Sequence, residues 1–184
     1  MHVIRSSGYR VMPWKNGGGE TTEIFVSPTT GNFDWRVSIA KVNADGPFST
    51  FCGYDRHIMM LTGSGMRLDI EGRGIFELEL LKPFSFSGDL RVNGSLVNGP
   101  ILDFNLMVRR DFGQGVLRVM DCGAGYRFGS GQSLYLVHVL LGESGIGGDS
   151  VHPGDSFFLE VDEQIVLAAP LKAVICEITP RWQL

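Results

Sequence analysis

Cysteine, histidine and clustered basic charge are all in short supply in this chain, and each shortage removes a class of function. Cys52, Cys122 and Cys176 are odd in number and widely separated, so neither a structural zinc site nor the disulfide framework of a secreted domain is expected. They read as three reduced thiols, with Cys52 in a turn beside Gly53. The four histidines, His2, His57, His138 and His152, include no His-x-His pair, and neither a metal nor any other cofactor is predicted. Lys and Arg total 16 against 20 Asp and Glu, a net charge of −4, with no basic run, so nucleic acid is not an expected partner. No segment approaches the ~18 apolar residues of a membrane span, and Met1-His2-Val3-Ile4-Arg5 does not open a secretory leader. A cytoplasmic protein with no membrane partner is the expectation. A Gly-x-Ser-x-Gly nucleophile elbow is missing, and Gly63-Ser64-Gly65 and Gly129-Ser130-Gly131 are hairpin glycines too short for dinucleotide fingerprints. No catalytic residue is assigned.

Helical periodicity is missing as well, and what replaces it is the alternation of strands. Trp35, Val37 and Ile39 alternate with Arg36, Ser38 and Ala40, and Phe104, Leu106 and Val108 alternate with Asn105, Met107 and Arg109. Further strands are predicted at residues 22–26, 57–61, 66–70, 76–81, 115–120, 134–141, 156–160, 164–168 and 173–178. The 25 glycines among 184 residues are about twice the ordinary ~7% share. With Pro, Asn and Asp they punctuate the strands at Asn43-Ala44-Asp45-Gly46-Pro47, Asn98-Gly99-Pro100 and Pro153-Gly154-Asp155. Many short strands between such turns predict an all-β sandwich or barrel. The segment from His57 to Gly65 is echoed about 80 residues later by Tyr135 to Gly145, which suggests two jelly-roll halves. The expected organisation is one unit over 1–184 with halves 1–110 and 111–184 that exchange strands.

Polar chemistry concentrates at a few points. Pro13-Trp14-Lys15-Asn16-Gly17-Gly18-Gly19 sets a ring, an ammonium and an amide before three glycines, more than a connecting loop requires. Arg36 shares strand phase with Ser38, and Arg109 with Asn105, so inward-pointing faces would bring two guanidiniums onto one cavity able to grip a carboxylate bidentately. Lys15 and Asn16 would project over it, and Trp14 would wall it or pack beneath the loop. Asp55-Arg56 occupies a position suited to the pocket rim, with Asp55 pairing Arg56 or a neighbouring arginine. Asp103 is expected to orient Arg109.

The segments Pro13 to Ile24, Trp35-Arg36-Val37-Ser38-Ile39-Ala40, Gly46-Pro47-Phe48-Ser49, Gly53-Tyr54-Asp55-Arg56 and Asp103 to Arg110 together resemble the HutD/Ves family. The ordered set spans most of the first 110 residues; Cys52 stands where the family commonly has Pro. The resemblance implies a cupin fold with two jelly-roll units, a bicupin, in a bacterial protein. It also implies a link to histidine utilisation, in which the protein tunes the pathway by sensing an intermediate such as urocanate or N-formylglutamate. Ves members imply a stress-related role instead.

The resulting expectation is a ligand-binding regulator. Trp14, Lys15, Asn16, Arg36, Ser38, Asp55, Arg56, Asn105 and Arg109 form its site, with a small carboxylate as partner and a second copy of the chain, as a homodimer, the one assembly considered. The alternatives are a cupin enzyme acting on a small acid and a Ves-like interaction protein. From the histidine spacing, elemental analysis of the purified protein should find far less than one transition-metal ion per chain. About one tightly held ion, lost on replacing His57 or His138, would overturn that expectation.

Overall fold

Alternation of small or apolar with polar side chains extends along nearly every strand, because a pleated strand sends successive residues to opposite faces. The computed structural model describes residues 1–129 and 131–183; Ser130, in the second glycine hairpin, lies outside them. Strands dominate, with 3₁₀ turns at Ser6–Gly8 and Arg181–Gln183 as the helical elements among the described residues. The all-β expectation therefore holds. The chain divides into two compact units, residues 10–111 and residues 1–9 with 112–184.

The first strand, β1 (His2–Ile4), belongs to the second of these units. The unit of residues 10–111 contains β2 (Arg10–Pro13), β3 (Gly19–Ser27), β4 (Trp35–Val42), β5 (Gly46–Pro47), β6 (Tyr54–Thr62), β7 (Met66–Ile70), β8 (Gly74–Leu78), β9 (Phe84–Ser87), β10 (Val92–Leu96) and β11 (Ile101–Arg109). A six-stranded antiparallel sheet runs β2-β3-β4-β11-β6-β9, and a four-stranded one runs β5-β10-β7-β8. Ile58, Met60, Met66, Leu68, Ile70, Phe86, Val92 and Ile101 form the apolar part of its interior. β10 escapes sequence reading because Gly94 interrupts it. A Cβ at Gly94 would lie 2.7 Å from the Phe48 ring and 2.9 Å from the Met66 methyl, so the residue is glycine for close approach rather than for a turn.

The other unit joins β1 to β12 (Gly113–Cys122), β13 (Arg127–Phe128), β14 (Leu134–Gly142), β15 (Ser144–Ile146), β16 (Asp149–Val151), β17 (Ser156–Leu159), β18 (Ile165–Val166) and β19 (Leu171–Pro180). Its main sheet runs β1-β17-β14-β19-β12. The strand expected over 164–168 contracts to Ile165–Val166, and the one expected over 76–81 ends at Leu78, with Leu81 at φ 58°. The core is apolar, built on Phe128, Val137, Val139, Phe157, Leu159 and Ile175. A buried polar chain ties in the N-terminal segment. Tyr9 Oη bonds Ser156 Oγ at 2.7 Å, Ser156 Oγ meets His138 Nδ1 at 3.0 Å, and Asp155 receives Arg5 and the Ser6 N–H, each at 3.0 Å.

Burial pushes His138 down from its ordinary 6.5 to about 4, against the pull of Asp155. A histidine depressed in the folded state stabilises above its unfolded pKa, and the contribution is lost as pH falls from 6.5 toward 4. Urea denaturation across that window should show a loss of roughly 3 kcal/mol from this residue. Asp155, held below its ordinary value against desolvation by the Ser6 N–H, Arg5 and the His152 N–H, adds a separate loss at the acid end, as pH falls through the carboxylate range below about 4. Replacing His138 with Gln should flatten the curve between pH 6.5 and 4; an unchanged slope would contradict the assignment.

Candidate functional site

The Trp14–Gly19 loop folds on its own polar atoms. Gly17 N donates to Trp14 O at 3.0 Å, Trp14 N donates to Gly19 O at 2.9 Å, and Gly18 N donates to Asn16 Oδ1 at 3.0 Å. The oxygen of Asn16 is thus committed to shaping the loop, which leaves its Nδ2 to donate outward. Trp14 Nε1 donates to Thr21 Oγ1 at 2.8 Å, and its ring lies over Gly19, where a Cβ would sit 3.0 Å from the ring and 2.2 Å from Lys41 O. Gly17 takes φ 71°, open to glycine without strain.

Beneath this loop lies a cavity of about 590 Å³ within the unit of residues 10–111. Pleat geometry selects its walls: Arg36, Ser38, Ala40 and Val42 from β4, Asp103, Asn105 and Met107 from β11, and Arg56 from β6. Trp14, Lys15 and Asn16 form one lip, and the segment from Ala44 to Ser49 with Phe51 forms another. Cross-strand register sets the rows: Met107 stands opposite both Arg36 and Arg56, and Asn105 opposite Ser38 and Ile58.

Arg56 is the centre of the site. It is 5% exposed, and its guanidinium carbon lies 5.3, 5.4 and 5.1 Å from the ring centroids of Phe48, Phe51 and Phe86. Such faces attract a desolvated cation. Nη1 donates to Ser49 O at 3.1 Å and Nη2 to Asn105 Oδ1 at 3.4 Å, while Nε is buried without a partner. Burial lowers its pKa to about 10; Asp103 works against that shift and Arg36 adds to it. Arg36 gives its Nε to Glu23 Oε2 at 2.7 Å. Asp103 is wholly buried; Asn105 Nδ2 donates to its Oδ1, and Oδ2 has no hydrogen-bond partner. Burial pushes this carboxyl up to about 7, with Asn105 and Arg56 opposing.

Seven of the nine residues expected at a site therefore border one cavity: Trp14, Lys15, Asn16, Arg36, Ser38, Arg56 and Asn105. Arg109 does not. The β4–β11 register that sets Met107 against Arg36 carries Arg109 one step further, against Asp34, whose Oδ1 it meets at 2.9 Å, with Asp111 as a second carboxylate partner. Asp103 cannot orient Arg109, since six residues of strand separate them by about 20 Å. Asp55 faces away from Arg56 because β6 begins at Tyr54 and puts neighbours on opposite faces; it pairs with Arg110 at 3.1 Å. Cys52 before this strand does not prevent Arg56 from pointing inward. Phe48, Ser49 and Phe51 lie outside regular strands and give no periodic signal of a site, whereas Met107 shares the phase of Asn105. Gly46-Pro47-Phe48-Ser49 was the available clue.

A family profile described as HutD matches residues 6–177. A curated Pseudomonas putida protein, described as an uncharacterized 21.2 kDa protein in the hutC 3' region, is 45% identical over 109 residues, 58% of this chain and 57% of that protein. Protein Ves of Citrobacter koseri is 40% identical over 117 residues, 61% of each chain. The matched stretch spans less than two thirds of either curated relative. The solved structure of HutD from Pseudomonas fluorescens SBW25, described as a formate condition, shares 34% identity and superimposes with a TM-score of 0.85 over 98% of both chains. A cupin 2 conserved barrel domain protein from Leptotrichia buccalis, 13% identical, superimposes with a TM-score of 0.59 over 86% of this chain and 88% of its own. That likeness establishes the fold as cupin-like.

Gly19→Ala should destabilise the protein by about 1–3 kcal/mol, because the added methyl collides with the Lys41 carbonyl and the Trp14 ring. Gly18→Ala, which meets only the Asn16 side chain at 3.4 Å, should cost less than about 1 kcal/mol. Equal urea midpoints for the two variants would contradict the packing of this loop.

Proposed function

The chain belongs to the HutD family, and on that premise we propose that its cavity receives a small carboxylate and that the protein acts as a ligand-binding regulator. The observation that carries this reading is Arg56: a buried guanidinium at a cavity wall, in no ion pair among the described residues and with Nε unpartnered. A buried cation in that condition favours an anionic partner, and a guanidinium fork matches a carboxylate. Arg36 adds a second guanidinium, while Ser38 and Asn105 supply hydrogen-bonding groups for the ligand's other atoms. The aromatic lip of Phe48 and Phe51 suits a planar or acyl-bearing ligand.

Urocanate and N-formylglutamate are the ligands the family association puts first. The P. fluorescens relative, described in a formate condition, makes formate the minimal probe. One observation favours turnover as a second reading: Asp103, whose carboxyl burial pushes up to about 7 within the field of Arg56, has the properties of an acid/base group.

Titration calorimetry with the three anions tests both readings. Arg56→Lys keeps the charge but loses the planar fork, and should weaken the ligand that binds by about one to two orders of magnitude. Arg109→Ala, whose side chain is engaged by Asp34 and Asp111, should leave affinity unchanged within about twofold. The reverse ranking would place the ligand elsewhere. Steady product formation proportional to protein concentration, abolished by Asp103→Asn, would convert the regulator into an enzyme.

A further inference from the structure

Four formal charges are grouped in and behind the cavity wall: Arg36, Arg56, Glu23 and Asp103, two of each sign. Glu23 is held by the Nε of Arg36 at 2.7 Å, while Arg56 senses both Arg36 and Asp103. Lys15 and Asp45, one of each sign, stand at the exposed mouth. A ligand carboxylate entering against Arg56 and Arg36 is then one negative charge too many for a region screened from water, where uncompensated charge is costly. The deficit can be removed by one proton. Asp103 is the group placed to take it: Asn105 Nδ2 holds its Oδ1, and its Oδ2 is buried with no hydrogen-bond donor facing it. Glu23, with a guanidinium on its carboxylate, is not.

We propose that Asp103 couples ligand binding to proton uptake: as one carboxylate settles against Arg56 and Arg36, one proton from solvent is bound on Asp103 Oδ2. The charge balance is that of the empty site, two positive and two negative, with the ligand in place of the Asp103 anion. This proposal rests on reading the cavity as a carboxylate site. Arg56 from β6 and Asn105 from its own strand act on Asp103; Arg36 from β4, ion-paired to Glu23 of β3, acts on Arg56, and the arginines keep their charge through the neutral range. Burial of Asp103, which raises its pKa to about 7, leaves it partly ionised at neutral pH and able to respond. The same coupling makes affinity a function of acidity, so that a cell growing more acidic would hold the ligand on the protein at lower concentration.

The test is calorimetry of N-formylglutamate, which has no group of its own that titrates near neutrality, and of formate, in buffers of differing ionisation enthalpy at about pH 7. The slope of observed against buffer enthalpy gives protons bound. At pH 7 the protein should take up as much as about half a proton per ligand, the rest being bound beforehand, with uptake approaching one proton at about pH 8, and its dissociation constant should rise by up to about tenfold per pH unit above pH 7. Asp103→Asn keeps the shape and a carbonyl for Asn105 Nδ2; it should bind without proton uptake and with an affinity flat in pH. Binding without uptake, or uptake that survives in Asp103→Asn, overturns the coupling and leaves the carboxylate site standing. Binding of neither anion overturns both.

Discussion

The cavity in the unit of residues 10–111 depends on keeping one guanidinium, that of Arg56, in the interior of the fold. Phe48 and Phe51 from the lip and Phe86 from β9 surround it, and the lip gives it a backbone carbonyl at Ser49. Asn105 joins it to Asp103 by accepting from the arginine and donating to the acid. Gly94 exists as glycine to let Phe48 lie where this arrangement needs it. A cation so desolvated binds its neighbours tightly, because leaving it alone is expensive. The lip, the sheet wall and the acid are thus parts of one electrostatic structure rather than independent linings of a hole.

The unit of residues 1–9 with 112–184 fills its interior differently, with no buried arginine or lysine among the described residues. Phe128 and Phe157 meet edge to face at 5.6 Å, and Val137, Val139, Leu159 and Ile175 fill the space around them. Its polar groups form a chain linking Tyr9, Ser156 and His138, with Asp155 adjacent and His138 kept neutral by burial. That unit spends its interior on packing. The first surrenders part of its hydrophobic core to a cavity and compensates with ring–guanidinium contacts and hydrogen bonds.

The fold was largely legible because strand alternation is a local property. The positions of Arg36, Ser38 and Asn105 on the cavity wall follow from phase alone. Arg109 shares the phase of Asn105, yet phase says nothing of how far along a neighbouring strand a residue lies. Two steps of register separate Asn105, opposite Ser38, from Arg109, opposite Asp34, and that distance decides the outcome. A strand that starts at His57 leaves Asp55 and Arg56 together on the rim; the strand in fact begins at Tyr54, which sends one residue inward and the other out. The aromatic lip was illegible for a different reason. Phe48 and Phe51 sit outside regular strands, and their value comes from a cation on β6 that no local pattern connects to them.

The assignment of residues 1–9 to the unit completed by 112–184 has a consequence for biosynthesis. β1 pairs with β17, His2 opposite Phe158 and Ile4 opposite Ser156, so β1 leaves the ribosome with its partner more than 150 residues downstream. At about 5–20 residues per second, β1 waits on the order of ten seconds or more with its backbone unpaired. Residues 10–111 carry all the strands of their own sheets and can form in that interval. Synthesis and closure therefore run in different orders, β1 being made before residues 10–111 and paired only once β17 has followed them.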